Sequence, residues 1–443
     1  MSSKPKLGLF SLTMIVVGLV IGMGIFRTSR DAAAAALNPT IFFGAWIVGG
    51  LVAFCGALTY AEIGSRYPIT GGYYKVFSYA YHPSIAFAIN CIILISNAAS
   101  VSGVALIGSE YICQLIFLDP SNLVQSLVAM SAIIVFYGIN MMGLRMSSRT
   151  QNVIMLIKIA MLVVLISSLF FPSIYSTNPQ PVVPIKDVSL WTIVLSFGVA
   201  LKATSFTYGG YQQTINFGEE IHQPQKNIPK GIFIGISIII GLYLCTSYAY
   251  YKVIGFNELK ETSGIASIIA EKMFGETGRN VASILLFIAV LGYVNVTMLS
   301  NPRVMYAMSD DGILPAVFKR KQESRDVLTV SLTVFALMCV IVLFFADTFD
   351  KILSFSIFLD SIGMATSAAT IFMLRKRTKH LNGTGIYTMK LYPLLPIIFV
   401  VAYIFIGVII AITNPEYALL GTAAFILFFC LYFIIKRMRH AEK

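Results

Sequence analysis

The stretch from Leu9 to Phe26 reads LFSLTMIVVGLVIGMGIF, and it decides the fold of this chain. It is apolar enough to cross a bilayer, yet Gly22 and Gly24 interrupt it. A second apolar stretch is interrupted at Phe206 to Gly210, which reads FTYGG. Backbone groups freed at such a break cannot stay unpaired in hydrocarbon, so they must line an enclosed cavity and meet a ligand, water or side chains there. Two broken helices in one membrane protein indicate a transport site.

The composition places almost the whole chain in a lipid bilayer. Of the 443 residues, 57% are hydrophobic and only 12% are charged. Runs of about 20 apolar residues, the length that crosses a ~30 Å hydrocarbon core, recur with polar residues between them. Twelve such runs lie at 8–29, 40–64, 84–115, 123–143, 149–171, 190–216, 229–252, 280–307, 328–346, 351–374, 391–412 and 416–436. The predicted fold class is therefore an all-α integral membrane protein with twelve transmembrane helices.

The distribution of Lys and Arg orients these spans. With the N-terminus in the cytoplasm, 22 of the 32 Lys and Arg residues lie on the cytoplasmic side, 8 lie on the other side and 2 lie inside spans. This excess follows the positive-inside rule, so we predict a multi-pass protein of the plasma or inner membrane with both termini cytoplasmic. Topology and contact with anionic lipids account for the net charge of +12. Membrane lipids are expected partners, and nucleic acid is not.

Enzymatic activity is not expected. Catalysis would need a clustered nucleophile and base, or clustered metal ligands. The four histidines are dispersed at predicted cytoplasmic ends, and the six cysteines are scattered inside apolar runs without metal-like spacing. We therefore expect no metal and no cofactor.

The two breaks predict the chemistry of the ligand. They lie in the first and sixth spans, and an offset of five spans, being odd, gives two halves of opposite orientation, as in inverted-repeat transporters. The half-helix after the first break offers free N–H groups and the positive end of its dipole to a carboxylate, at Met23, Gly24 and Ile25. Unpaired carbonyls suited to an ammonium are expected at Val20, Phe206 and Gly209. The predicted substrate is a free amino acid.

Further stretches carry a resemblance to a known family. The second span ends in AEIGSRYP at Ala61 to Pro68, and the second break continues into NFGEEI at Asn216 to Ile221. These stretches resemble signatures of the amino acid-polyamine-organocation superfamily, and specifically of its L-type amino acid transporter-like members. The resemblance implies the LeuT fold, a five-plus-five inverted repeat with broken helices one and six, and alternating access. It divides the single transmembrane domain, 1–443, into repeats at 1–172 and 189–376 and two additional helices at 391–437.

The resemblance also implies gating roles. Phe206 would cover the substrate as an aromatic gate. Glu219 and Glu220 begin the cytoplasmic end of the sixth span, and Arg66 after the second span would pair with them to close the inner side. The competing interpretation is that these carboxylates are simply solvated.

Lys158 lies deep in the fifth span, and an ionisable residue at such a depth indicates a function. In sodium-independent relatives a lysine at the matching place fills the sodium position and bridges the first and eighth spans. Sodium coupling is therefore not expected, and the amine would either hold the first span in place or carry a coupled proton. On the eighth span the resemblance points to Tyr293 and Asn295, and Tyr293 departs from the small hydroxyl residue of the family pattern.

Three more charges lie where charge is costly, at Glu110 in the third span, Lys202 before Phe206, and Asp360 in the tenth span. The resemblance places Glu110 and Asp360 in the distal part of the pocket, where a substrate side chain points. Two carboxylates and one ammonium would favour a cationic or polar amino acid. Alternatively, Lys202 pairs with Asp360 or Glu110 as an outer gate, and the protein exchanges neutral amino acids.

Two modes of energy coupling fit these residues. Amino acid exchange and proton symport are both compatible with a lysine in the fifth span. A transport-like receptor or a channel is the alternative of another class.

The loop between spans three and four bears on accessory subunits. Animal members of the family that join a glycoprotein subunit do so through a cysteine in this loop. The corresponding loop here, 117–122, reads FLDPSN and has no cysteine. A disulfide-linked accessory subunit is therefore not expected.

Overall fold

The computed structural model describes residues 6–22, 24–116, 121–176, 188–262, 264–345, 349–381 and 385–441. Within these ranges the chain forms helices and isolated β-bridges but no β-strand, so the all-α fold is confirmed. The α-helices are Leu9–Val20 (α1), Gly24–Ala35 (α2), Pro39–Arg66 (α3), Gly72–Ala80 (α4), Pro83–Ile116 (α5), Asn122–Met141 (α6), Leu144–Ser167 (α7), Leu190–Tyr208 (α8), Pro224–Ile254 (α9), Phe256–Leu259 (α10), Ile265–Asp310 (α11), Thr329–Phe345 (α12), Phe349–Arg377 (α13), Leu394–Thr413 (α14) and Pro415–Ala441 (α15).

The spans agree with the predicted number. Eleven spans in the described ranges are long and apolar enough to cross a membrane, and α12 is a shorter apolar helix that makes the twelfth. Several boundaries differ from the prediction, among them the starts of α9 and α11. Helix α9 begins at Pro224 because proline suits the first turn of a helix, and Pro229 is accommodated inside it. Helix α11 begins well before residue 280 because it includes a further segment that bends at Gly275, where φ is +69°.

The first span consists of two helices. Helix α1 ends at Val20 and α2 begins at Gly24. The last turn of α1 is closed locally, because the Ile21 N–H donates to the Val17 carbonyl at 2.7 Å. Helix α1 is buried from Leu12 to Val20 and packs against α7 and α9, so the break lies in the centre of the bundle.

The sixth span breaks after α8, at Gly209 and Gly210. Two 3₁₀-helices follow in place of a second α-helix, Tyr211–Asn216 and Gly218–Glu220. Gly210 has a φ of +117°, and a Cβ atom added there would lie 2.1 Å from the carbonyl oxygen of Leu19. Only glycine permits this approach. The second break is therefore in direct contact with the end of α1.

Backbone hydrogen bonds close the bundle on the side where α1 begins, which we call the N-terminal side. The Leu7 N–H donates to the Glu220 carbonyl at 2.7 Å, and the His222 N–H donates to the Leu7 carbonyl at 3.0 Å. In the loop before α4, the Gly71 N–H donates to the Asn216 carbonyl at 3.0 Å. The chain that follows the second break is thus tied both to the start of α1 and to this loop.

Candidate functional site

A cavity of about 1200 Å³, counting space continuous with solvent, lies between the two helix breaks. Both breaks contribute to its wall, together with α2, α8 and faces of α5, α13 and α14. The predicted site residues that line it are Val20, Gly24, Lys202, Phe206, Gly209, Tyr293 and Asp360. Residues that are remote in the sequence therefore meet around one space.

Other predicted site residues lie elsewhere. The side chain of Ile25 is buried in the core, where the Ser29 hydroxyl donates to the Ile25 carbonyl at 2.9 Å. Asn295 is fully buried outside the cavity wall. Met23 lies outside the described residues. The expected backbone contacts of Gly24 and Ile25 with a carboxylate remain a prediction.

Helix α5 does not direct Glu110 into the cavity. Ile93, Asn97, Ser100 and Val104 form the face of α5 that lines it, and Glu110 is not part of that lining. Because each helical residue rotates the side-chain direction by about 100°, Glu110 points roughly 100° away from this face. The expectation that Glu110 and Asp360 share the distal pocket is therefore wrong in this structure.

Side chains from other helices bind the carbonyl groups of the first break. The Lys158 ammonium is fully buried and donates to the Ile21 carbonyl. The Tyr243 hydroxyl of α9 donates to the Val20 carbonyl at 3.2 Å, which also accepts from the Gly22 N–H at 2.8 Å. The expectation that the Val20 carbonyl is unpaired is therefore wrong.

The Phe206 carbonyl is also in use, because the Gly209 N–H donates to it at 3.1 Å. A carbonyl oxygen has two lone pairs, so the Phe206 carbonyl keeps capacity for a second donor, whereas the Val20 carbonyl already has two donors. Phe206 and Gly209 line the cavity at the end of α8. A ligand ammonium would therefore share these carbonyls with the protein.

The residues expected beside Lys158 have other described partners. The Asn295 amide donates to the Gln151 side chain at 2.8 Å and to the Ser147 carbonyl at 3.1 Å, and it thereby joins α11 to α7. Tyr293 packs at the first break and lines the cavity. Lys158 itself donates to the Ile21 carbonyl at the first break. This contact supports the interpretation that the amine holds the first span in place.

The acidic residue near Lys202 in this structure is not one of those expected from the sequence. Asp31 of α2 lines the cavity, and its carboxylate acts electrostatically on the Lys202 ammonium. The outer-gate interpretation names Asp360 or Glu110 as the partner of Lys202. Asp31 lies near Lys202 because the helices that carry them, α2 and α8, pack against each other.

Asp360 is surrounded by hydroxyl groups. Ser96 donates to its carboxylate at 3.4 Å. Tyr73, Tyr293 and Tyr403 lie within electrostatic range of the carboxylate, and all three line the cavity. The Asp360 side chain is only partly buried, because it faces this space. The tenth span therefore presents a hydrogen-bond acceptor to whatever occupies the cavity.

A buried ion pair closes the N-terminal side beneath the cavity. Arg303 of α11 donates to the Glu220 carboxylate through Nε at 2.8 Å and Nη2 at 2.7 Å. The guanidinium also lies 4.5 Å from the ring centroid of Phe217. Both charged side chains are less than a tenth exposed, so this contact fastens the chain after the second break to α11.

Arg66 pairs with Glu62, and not with Glu219 or Glu220 as the sequence suggests. As the last residue of α3, its side chain turns back one helical turn and meets the Glu62 carboxylate at 2.7 Å. Glu219 instead accepts from the Thr70 hydroxyl at 2.9 Å. The expected pairing of Arg66 with these carboxylates is therefore wrong in this structure, where Arg303 pairs with Glu220.

Sequence reasoning missed many of the polar residues that line the cavity, among them Asp31, Asn97 and Gln213. Gln213 follows the Gly-Gly pair of the second break, a position that could have marked it. Asn97 is a carboxamide inside the third span, where polar side chains are costly, and this is also a visible signal.

Comparisons with known proteins cover the complete bundle. A sequence model of the family described as amino acid permease matches residues 7–435. The serine/threonine exchanger SteT of Bacillus subtilis (strain 168) is 26% identical over 407 residues, which are 91% of this chain and 90% of the exchanger. The Asc-type amino acid transporter 1 of Mus musculus is 23% identical over 417 residues, 93% of this chain and 77% of the relative. The b(0,+)-type amino acid transporter 1 of Mus musculus is 24% identical over 441 residues, 98% and 88% respectively.

Proposed function

Since this chain belongs to the amino acid permease family, we propose that it carries free amino acids across a cell membrane by secondary active transport. Membership of a permease family confirms that the chain is not an enzyme, and its apolar helices make it a multi-pass membrane protein. The single observation that carries the proposal is the cavity bounded by both helix breaks. Relatives that match almost the whole chain are named as amino acid transporters and exchangers.

Alternating access is part of this proposal. The cavity is continuous with solvent, whereas the N-terminal side is closed by the Glu220–Arg303 pair and by backbone bonds to Leu7. With the termini in the cytoplasm of a plasma or inner membrane, this arrangement is an outward-facing state. Movement of the two inverted repeats, 1–172 and 189–376, relative to each other would convert this state into an inward-facing one.

The proposed substrate pose uses both breaks. The α-carboxylate would meet the N-terminal end of α2 at Gly24, where backbone N–H groups and the helix dipole favour an anion. The α-ammonium would meet the Gly209 carbonyl and the second lone pair of the Phe206 carbonyl. Phe206 would cover the bound amino acid.

Lys158 supports transport without sodium. Its ammonium already places a positive charge on the Ile21 carbonyl. A sodium ion at the same break would be repelled by this charge at short range. Transport driven by exchange of amino acids and transport driven by protons both agree with this arrangement.

Uptake into proteoliposomes tests the proposal. Purified protein would be given a panel of labelled amino acids in sodium or potassium buffer, with and without internal amino acid and with and without a pH gradient. We expect uptake of at least one amino acid at equal rates in both salts. Dependence on internal amino acid would identify exchange, and dependence on the pH gradient would identify proton symport. If no amino acid is moved or exchanged, the proposed function is wrong, and binding without movement would favour a receptor.

For the side chain of the substrate, we propose that Asp360 favours cationic or polar amino acids. The neutral-exchanger alternative relies on a pair of Lys202 with Asp360 or Glu110, whereas the described hydrogen bond of the Asp360 carboxylate is with Ser96. Asp360→Asn should slow uptake of a cationic amino acid by about tenfold, because a hydrogen bond to a charged group is lost, and should change a neutral one by less than about twofold. Glu416→Gln, at an exposed position at the start of α15, is the matched control. Equal losses for both substrates would refute the proposal.

We further propose that the protein works without a disulfide-linked accessory chain. Residues 117–120 of the loop that would hold the linking cysteine lie outside the described residues. The six cysteines in the described ranges are free, and Cys245 and Cys430 are the exposed ones.

A further inference from the structure

A chain of amide hydrogen bonds runs from α11 to the floor of the cavity. The Asn301 amide donates to the Thr297 carbonyl at 2.9 Å. The Asn97 amide of α5 then donates to the Asn301 side-chain oxygen at 2.7 Å. Finally the Gln213 amide donates to the Asn97 side-chain oxygen at 3.3 Å. Three helical segments are thus joined through one line of carboxamides.

This chain fixes which way every carboxamide faces. A backbone carbonyl can only accept, so the NH₂ group of Asn301 must face Thr297 and its oxygen must face Asn97. The same reasoning then sets the orientation of Asn97, and that of Asn97 sets Gln213. Gln213 is therefore held with its NH₂ group inward and its carbonyl oxygen at the open end.

The open end of the chain lies in the cavity wall. Gln213 is 7% exposed and lines the cavity. Its Oε1 atom has no hydrogen-bond partner within the part of the chain that the structure describes. Buried polar atoms are nearly always bonded, because an unpaired one has lost its interaction with water without compensation. The orphaned acceptor therefore points to a donor on the molecule that fills the cavity.

Gln213 and Asp360 are held by neighbouring residues of α5. Ser96 donates to the Asp360 carboxylate, and Asn97 accepts from Gln213. Both acceptor-bearing residues line the cavity whose breaks would bind the α-amino and α-carboxylate groups. A donor-bearing side chain complements this arrangement, and an aliphatic side chain does not.

We propose that Gln213 is a specificity-determining residue, whose Oε1 accepts a hydrogen bond from the side chain of the substrate. The inference rests on the proposed function, in that the occupant of the cavity is a free amino acid. It names the substrate class as amino acids with a side-chain hydroxyl, ammonium or guanidinium group. A site built around a fixed acceptor rejects an analogue that lacks the donor, because the acceptor is then left unpaired.

Wild-type protein in proteoliposomes provides the first test. Matched pairs of unlabelled amino acids, threonine against valine, serine against alanine and lysine against norleucine, would compete with a transported labelled substrate. We expect the donor-bearing member to compete about tenfold better in at least one pair. If amino acids are transported and no pair differs, the inference about Gln213 is overturned while the proposed function stands. If nothing is transported, the proposed function itself has failed.

Variants then assign the preference to Gln213. Gln213→Met keeps the side-chain length and removes the acceptor, so the preference within the pair should fall to less than about twofold, with the aliphatic member still transported. Asn90→Leu removes another buried amide of α5, one that bonds the Ala86 carbonyl outside the cavity wall, and should leave the preference unchanged. A preference that persists in Gln213→Met would overturn the inference.

Asn301→Leu tests the positioning of the acceptor without touching the cavity wall. Losing the first amide releases Asn97 and Gln213 to rotate, so the preference should weaken while uptake of the aliphatic member continues. This variant also decides the question if Gln213→Met is not inserted in the membrane. An unchanged preference in Asn301→Leu would show that the amide chain does not orient Gln213.

Discussion

The two helix breaks border the same cavity but are held in different ways. At the first break, side chains from other helices bind the carbonyls, since Lys158 of α7 donates to Ile21 and Tyr243 of α9 donates to Val20. At the second break the chain binds itself, and the Gly210 N–H donates to the Gln212 side chain at 2.9 Å. The first break depends on tertiary partners, and the second depends on local sequence.

This difference indicates how each break responds to change. Movement or mutation of α7 or α9 reaches the first break directly, although these helices are distant in sequence. Changes in the residues of the second break itself, or in the α1 backbone that touches Gly210, reach that break directly. We therefore expect the first break to be the adjustable side of the cavity and the second to be the fixed side.

The largest effect is expected from Gly210→Ala, which tests the fixed side. Its Cβ atom would lie 2.1 Å from the Leu19 carbonyl oxygen, at a φ of +117°. Backbone strain of about 1–3 kcal/mol adds to this overlap, so the initial uptake rate should fall by about 100-fold or more.

Gly241→Ala in α9 is the control for this substitution, because a Cβ atom there meets nothing within 4 Å. Detergent-solubilised samples should be compared by size-exclusion chromatography to separate loss of folding from loss of transport. Normal uptake by Gly210→Ala would show that the close approach of the two breaks is dispensable.

A smaller but clear effect is expected from Lys158→Met, which removes the brace of the adjustable side. The Ile21 carbonyl would lose its charged donor in a buried place, at a cost of about 1–3 kcal/mol. Initial uptake should slow by about tenfold. Lys230→Met, at an exposed position of α9, is the matched control. A wild-type rate for Lys158→Met would mean that the first break needs no external support.

The smallest effect is expected from Tyr243→Phe. The Val20 carbonyl would keep its bond from the Gly22 N–H at 2.8 Å, so only one of two donors is lost. A net hydrogen bond contributes about 1 kcal/mol, and uptake should fall about threefold to fivefold. Tyr250→Phe lies on the same helix and removes a buried hydroxyl that has no partner in the described ranges, so its rate should not change. Equal losses of uptake rate in Tyr243→Phe and Lys158→Met would contradict the expectation that Lys158 matters more than Tyr243 at the first break.

The two helix breaks, and the lysine that binds the first of them, can be located from the sequence for a simple reason. Glycine pairs and a lysine are conspicuous inside apolar runs, and their meaning in hydrocarbon does not depend on which helices are neighbours. Gly22, Gly209 and Lys158 are recognisable in this way. The number of spans follows from the length of the apolar runs.

The ion pairs cannot be located in the same way, since helix rotation and loop paths choose the partners. Arg66 folds back on Glu62 within α3, and Arg303 reaches Glu220 from a helix that is remote in the sequence. The position of Glu110 along α5 is visible in the sequence, but its direction around the helix relative to the cavity is not. The orientation of Gln213 depends on three successive amides, which no local pattern reveals.

The two backbone hydrogen bonds at Leu7 have a consequence for the cooperativity of opening. They join the start of α1 to Glu220 and His222, so the first span and the chain after the second break are held together on the N-terminal side. Displacing one without the other would cost both bonds at once, and we therefore expect half-open intermediates to be rare. A transporter with few such intermediates has little opportunity to leak ions while it turns over, which matters for a cell that maintains a membrane potential.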